Sequence, residues 1–221
     1  MGNIRALDRE AMVDAILLID KPLGWTSFDV VAKIRNISGV KRVGHCGTLD
    51  PLATGLLIVC TGKMTKGISV IQDADKEYEF ECCLGASTST YDNEVPPTIF
   101  VDTSHITKEL IIEKAKKFVG EIEQVPPVYS AIKVNGKRAY ALARKGVEFE
   151  LKSRIVRVNS FVISDFSPPN KITGVISCGK GTYIRSLAND LGTELGVGGY
   201  LTALRRTRIG NYLIDNAFEM K

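Results

Sequence analysis

The chain has 221 residues, 44% of them hydrophobic, enough for one large or two small packed domains and too apolar for a disordered chain. Its 29 Lys and Arg against 25 Asp and Glu leave a formal net charge of +4, which permits a polyanionic partner without requiring one. Five cysteines without a C-x-x-C pair and two histidines give no zinc-type spacing, and no run is long enough to span a membrane; no structural metal is expected, and reduced thiols in a cytoplasmic protein are.

Residues 1–14 are polar without a clear period and read as a mobile or weakly docked lead-in to a single domain over 15–221. Ala15 to Asp20 is a short apolar run, expected as a buried strand that delivers Lys21-Pro22 to a turn. Ser27 is placed to cap a helix whose Val30, Val31, Ile34 and Ile37 share one side, and Gly39 to close it. Then comes Gly44-His45-Cys46-Gly47-Thr48-Leu49-Asp50-Pro51-Leu52-Ala53-Thr54-Gly55-Leu56-Leu57, which sets one aspartate in a Gly- and Pro-punctuated loop feeding an apolar strand, Gly55 to Thr61. Pro51 fixes its own φ and pushes Asp50 toward extended geometry, so the carboxylate is held in place. For an isolated Asp-Pro pair an ordinary turn is the commoner reading.

Lys76 to Leu84 alternates, with Tyr78 and Phe80 on one face and Glu77, Glu79 and Glu81 on the other, so Tyr78 shares a face with core residues. Thr107 reads as the N-cap of a helix with Leu110, Ile111, Ala115 and Phe118 as its stripe and Gly120 as its stop. Asn135-Gly136 is the strongest hairpin signal, joining Tyr129 to Val134 with the segment that begins at Lys137. A short helix from about Ala139 should end at Gly146, one long or two short strands should occupy Phe149 to Ile163, and another strand Lys171 to Cys178. After Gly179-Lys180-Gly181 a helix is expected from about Tyr183 to Leu195. Strands and helices mix without regular βαβ alternation, which predicts an α+β domain around a largely antiparallel sheet. From Lys133 to Arg157 eight basic residues face only Glu148 and Glu150, and Arg205, Arg206 and Arg208 form a second basic cluster. Such runs suit phosphate contact, although most are simply solvated faces.

The Asp50 stretch resembles the catalytic motif of the TruB family of tRNA pseudouridine synthases. Four more stretches resemble the family's other motifs in the same order: Leu18 to Ser27, Asp75 to Phe80, Val125 to Tyr140, and Gly179 to Ser186. The resemblance implies the pseudouridine synthase fold, a mixed, mainly antiparallel sheet flanked by helices and loops. It also implies conversion of uridine 55 in the T-loop of tRNA to pseudouridine, with the target base flipped out of the folded RNA and no cofactor. Asp50 would be the essential carboxylate, Tyr78 would stack on the uracil, and Arg185 would hold Asp50 ionised and oriented. Lys21 and Tyr183 match further pocket positions, and His45 the residue associated with the flipped nucleotide. A hydrophobic wall is expected from Leu56 or Leu204.

Contact with the T-arm would come from Lys133, Lys137, Arg138, Arg144, Arg205 and Arg208 in a monomeric enzyme with no membrane partner. Cys46 stands where many relatives carry threonine, and many relatives continue into a further small RNA-binding domain, so a compact form or a fragment is expected. Two other classes compete: an RNA-binding or RNA-folding factor, which would need the basic face but no particular aspartate, and a glycoside hydrolase, which would need a second carboxylate that no motif singles out.

Overall fold

A computed structural model describes residues 2–4, 7–130, 132–134 and 136–220. In chain order the elements are β1 (Ile16–Lys21), α1 (Ser27–Ser38), β2 (Val43–His45), β3 (Ala53–Thr61), α2 (Ile68–Asp73), β4 (Lys76–Leu84), α3 (Lys108–Lys116) and β5 (Gly120–Gln124). They continue with β6 (Lys133–Val134), β7 (Lys137–Arg138), α4 (Ala139–Ala143), β8 (Arg154–Ser167), β9 (Lys171–Cys178), α5 (Ile184–Glu194), β10 (Gly199–Ile209), β11 (Tyr212–Leu213) and β12 (Phe218–Glu219). The chain divides into two compact units, Met1–Glu79 with Ala203–Lys221, and Phe80–Thr202, so β4 and β10 each contribute one part to each unit. The architecture is α+β, a mixed sheet flanked by a few helices.

In the first unit the strand order is β12-β1-β3-β10-β4. β1 runs antiparallel to β3 from Ile16↔Cys60 to Lys21↔Gly55, and β10 runs parallel to β3 with Arg205↔Thr54 and Arg206↔Gly55. Strand β3 has neighbours on both edges, which is why its sequence is an almost unbroken apolar run rather than an alternating one. Leu56, Ile58 and Cys60 on one face pack with Cys46, Ile209, Ile214 and Ala217. Residues of the expected lead-in are docked here: Ile4 and Met12 are buried, and the Thr61 hydroxyl donates to the Met12 carbonyl at 2.6 Å. Their apolar side chains are too sparse to show a period, yet each has core to cover.

Thr26, not Ser27, caps α1. Its Oγ1 accepts from the Asp29 amide at 3.0 Å while the Asp29 carboxylate accepts from the Thr26 amide at 2.8 Å. The reciprocal box needs an acidic residue three positions after the cap, which selects Thr26. Gly39, at φ 74°, ends the helix as expected.

In the second unit the order is β4-β9-β8-β5. β8 is a single 14-residue strand that starts at Arg154, later than its apolar alternation suggested. Its Phe161 ring meets Phe80 edge-on at 5.5 Å. Helix α3 carries the expected Thr107 cap but ends at Lys116; Gly120, at φ 108°, opens β5 instead. That strand, Gly-Glu-Ile-Glu-Gln, has a single aliphatic residue and gave no strand signal. The hairpin pairs Lys133 with Arg138 and Val134 with Lys137 around a two-residue turn in which Gly136 has φ 80°. The other turn position, Asn135, lies outside the described residues, and the strand expected from Tyr129 begins only at Lys133. α5 lies within one residue of its expected limits at each end.

Candidate active site

The loop between β2 and β3 that carries Asp50 is fixed on both sides of that residue. Before it, the Ser27 hydroxyl donates to the Leu49 carbonyl at 3.1 Å and accepts from the Leu49 amide at 2.8 Å. After it, the Pro51 carbonyl accepts from the Gly24 amide at 2.8 Å, and the Ala53 amide donates to the Asp50 carbonyl at 3.0 Å. Arg206 reaches the loop from β10, donating through Nε to Leu56 O at 2.7 Å and through its terminal nitrogens to Gly47 O at 3.2 Å and Thr48 O at 3.5 Å. Asp50 is half-buried. Its backbone is held by bonds that do not depend on its own carboxylate, which is how a reacting group is kept in one place.

Lys21, at the end of β1, is fully buried and donates to the carbonyls of Trp25 at 2.6 Å and Pro22 at 3.0 Å. Burial pulls its pKa down to about 8; the Asp50 carboxylate opposes that shift and the Arg206 guanidinium adds to it. His45 is half-buried, with its Nδ1 shielded from solvent. Burial first, and then the Arg206 charge, hold its imidazole below the usual histidine range. Lys21, His45, Asp50 and Arg206 therefore share one electrostatic neighbourhood in the first unit.

The Lys21 shift has a measurable sign. Its folded pKa lies below the ordinary 10.5, so between about pH 8 and 10.5 the unfolded chain binds the extra proton and stability rises with pH, whereas below pH 8 the full penalty of the buried charge is present. The stability of wild type minus that of Lys21→Met, from urea titrations, should be flat below pH 8 and climb across this window by at most ~3 kcal/mol. A difference independent of pH would show that Lys21 titrates normally.

Tyr78 is buried on β4, facing as its alternation predicted. Arg205 forms a two-pronged pair with Asp20 at 3.0 and 2.8 Å, and Arg208 contacts Glu77 at 3.4 Å and donates to Gly210 O at 3.2 Å. Both of these arginines thus carry carboxylate partners within the first unit.

In the second unit, Arg185 lies in the first turn of α5 and is 5% exposed. It donates to Thr90 O and Tyr129 O, both at 3.0 Å, and lies 3.5 Å from the buried Asp92 carboxylate. A guanidinium buried this way is not the surface arginine that a helix start usually carries. Tyr183 is locked by Gln124, whose side-chain oxygen accepts from the Tyr183 amide at 2.8 Å and whose nitrogen donates to the Tyr183 carbonyl at 3.1 Å. The Arg154 guanidinium sits 5.0 Å from the Tyr183 ring centre and donates to Gly181 O. Lys133, Lys137, Arg138 and Arg144 are exposed on the hairpin and α4, with Arg144 over the Tyr140 ring at 5.8 Å.

Gln124 and Asp92 had no sequence signal of their own, and Ser27 read as a helix cap rather than as an anchor of the Asp50 loop. Arg206 did have a signal. Within a strand, Arg205 and Arg206 must point to opposite faces, and one of them therefore inward, but β10 had not been recognised as a strand.

Among solved structures, the chain superposes on a Cbf5-Nop10-Gar1 complex with a TM-score of 0.71 and 29% identity, over 96% of this chain and 54% of that one. It superposes on an H/ACA RNP bound to a substrate RNA containing 2'-deoxyuridine with a TM-score of 0.70 and 26% identity, over 99% and 55%. The chain spans about half the length of those matched chains. These likenesses define a protein of the pseudouridine synthase fold.

Residues 35–184 match the model of the TruB family pseudouridylate synthase N-terminal domain, and residues 185–221 that of the tRNA pseudouridylate synthase B C-terminal domain. The tRNA pseudouridine synthase B of Chloroherpeton thalassium is 53% identical over 206 residues, covering 91% of this chain and 85% of that protein. That of Flavobacterium johnsoniae is 46% identical over 218 residues, covering 96% and 95%. The chain belongs to the TruB family of pseudouridylate synthases. It is accordingly an isomerase that forms pseudouridine in tRNA.

Proposed function

We propose that the chain isomerises uridine 55 in the T-loop of tRNA, with Asp50 acting on the target nucleotide after it has flipped out of the loop. The reaction breaks the N1–C1′ bond, turns the uracil, and joins C5 to C1′; C5 loses a proton and N1 gains one, so there is no net redox change and no cofactor is required. Such chemistry needs an ionised carboxylate near the sugar or base and a poorly hydrated enclosure that retains the loose base. The observation that carries this reading is the loop anchored at Leu49 and Pro51 on either side of Asp50.

Tyr78 is assigned to stack on the uracil and Lys21 to support Asp50, and Tyr183 and Arg185, on the second unit, are assigned supporting roles in the reaction. The neutral imidazole of His45 is assigned to the displaced nucleotide. Lys133, Lys137, Arg138 and Arg144, with Arg205 and Arg208, are assigned to the phosphates of the T-arm, which makes binding salt-dependent. The enzyme is proposed to act as a cytoplasmic monomer.

The test is to incubate the protein with an unmodified tRNA transcript, without added metal or nucleotide, and to map pseudouridine by position. Product at uridine 55 is expected. Product confined to another uridine would overturn the site assignment, and release of free uracil would mean hydrolysis rather than isomerisation.

A further inference from the structure

Arg206 is 1% exposed and donates to three backbone carbonyls, those of Gly47 and Thr48 before Asp50 and that of Leu56 after it. One guanidinium thus ties both arms of the loop to β10. Its neighbour Arg205 lies on the other face of the strand, where it pairs with Asp20. Burying a cation among carbonyls is a poor way to gain stability, since an apolar side chain of similar volume generally does as well or better. What an arginine adds is a rigid fork of diverging donors that reaches several acceptors at once, a geometry lysine lacks. The fork has little freedom to shift, because the Arg206 backbone lies directly against Gly55, where an added Cβ would come within 2.3 Å of Arg206 O.

We infer that Arg206 is a positioning residue for the isomerisation: through the carbonyls of Gly47, Thr48 and Leu56 it sets where the Asp50 carboxylate and the His45 imidazole meet the target nucleotide. The inference rests on the assignment of Asp50 as the reacting carboxylate. Two effects follow from one side chain. The fork fixes the loop, and the charge adds to the burial that holds His45 and Lys21 low.

Arg206→Met and Arg206→Lys separate these effects. Single-turnover kinetics on tRNA transcript should show the rate constant of the chemical step falling about tenfold or more in both variants, with RNA affinity within about threefold of wild type. Followed by NMR on the free protein, the His45 titration should move up toward the ordinary histidine range in Arg206→Met and remain low in Arg206→Lys, which keeps the charge. The NMR arm uses no RNA, so it holds or fails whether or not uridine 55 is the target. A folded variant with an unchanged chemical step, a His45 titration indifferent to the Arg206 charge, or unfolding of both variants would each overturn the assignment, the last by making Arg206 a stability residue only.

Discussion

Asp50→Asn is expected to slow pseudouridine formation by about a thousandfold or more, with little change in stability. The substitution keeps the shape of the side chain and removes its charge and its capacity to act as nucleophile or base. The Leu49, Pro51, Ala53 and Gly47 contacts that position the loop are made by backbone groups, Ser27 and Arg206, all untouched by the change. Release of tritium from C5-labelled uridine in tRNA, together with urea unfolding, measures both halves of the claim. The variant also carries an internal marker. The Asp50 carboxylate raises the Lys21 pKa, so its loss should move Lys21 further below about 8. Activity within about tenfold of wild type would remove Asp50 from the chemistry, and a large loss of stability would make it a structural residue.

Gly55→Ala is expected to destabilise the first unit by ~4 kcal/mol or more, enough to abolish soluble folded protein. Gly55 sits at φ 98° and pairs with Arg206 in the parallel β3–β10 ladder. A Cβ there would lie 2.3 Å from Arg206 O, 2.8 Å from Arg206 N and 3.0 Å from Arg206 C, all backbone atoms that cannot turn aside as a side chain can. Relief requires β10 to move off β3, which would also draw the Arg206 fork away from Gly47 and Thr48. Gly24→Ala is the control: its φ is 81°, but nothing lies within 4 Å of its added Cβ, so only the conformational strain of ~1 kcal/mol applies. Soluble yield and urea midpoints for the two variants decide the matter, and equal, small losses would show that β3 and β10 are not in close backbone contact at Gly55.

Much of the fold could be read from local pattern. β4 and β9 coincide with their expected limits, and α5 is within one residue at each end, because alternation in the strands and the flanking glycines of the helix are properties of a few adjacent residues. The failures have equally local causes. β5 offers one aliphatic residue, and β10 is interrupted by three arginines that look solvent-facing until their partners are known. Ser27 resembled a cap because its hydroxyl suits one, but that hydroxyl is used by Leu49, 22 positions away.

The ordered motifs, and with them the family, and the Gly/Pro framing of Asp50 were legible without coordinates, since each is a short run whose chemistry is its own. Assembly decided the rest. Lys21 was expected at a turn and as a pocket residue by resemblance, but only assembly shows it fully buried, its ammonium donating to carbonyls. Arg205 and Arg206 are identical and adjacent, yet one faces Asp20 and the other the Asp50 loop. Burial and charge state are sums over groups brought together from distant parts of the chain: Arg206 lies 159 positions from its acceptor Gly47. No window of neighbouring residues contains that sum.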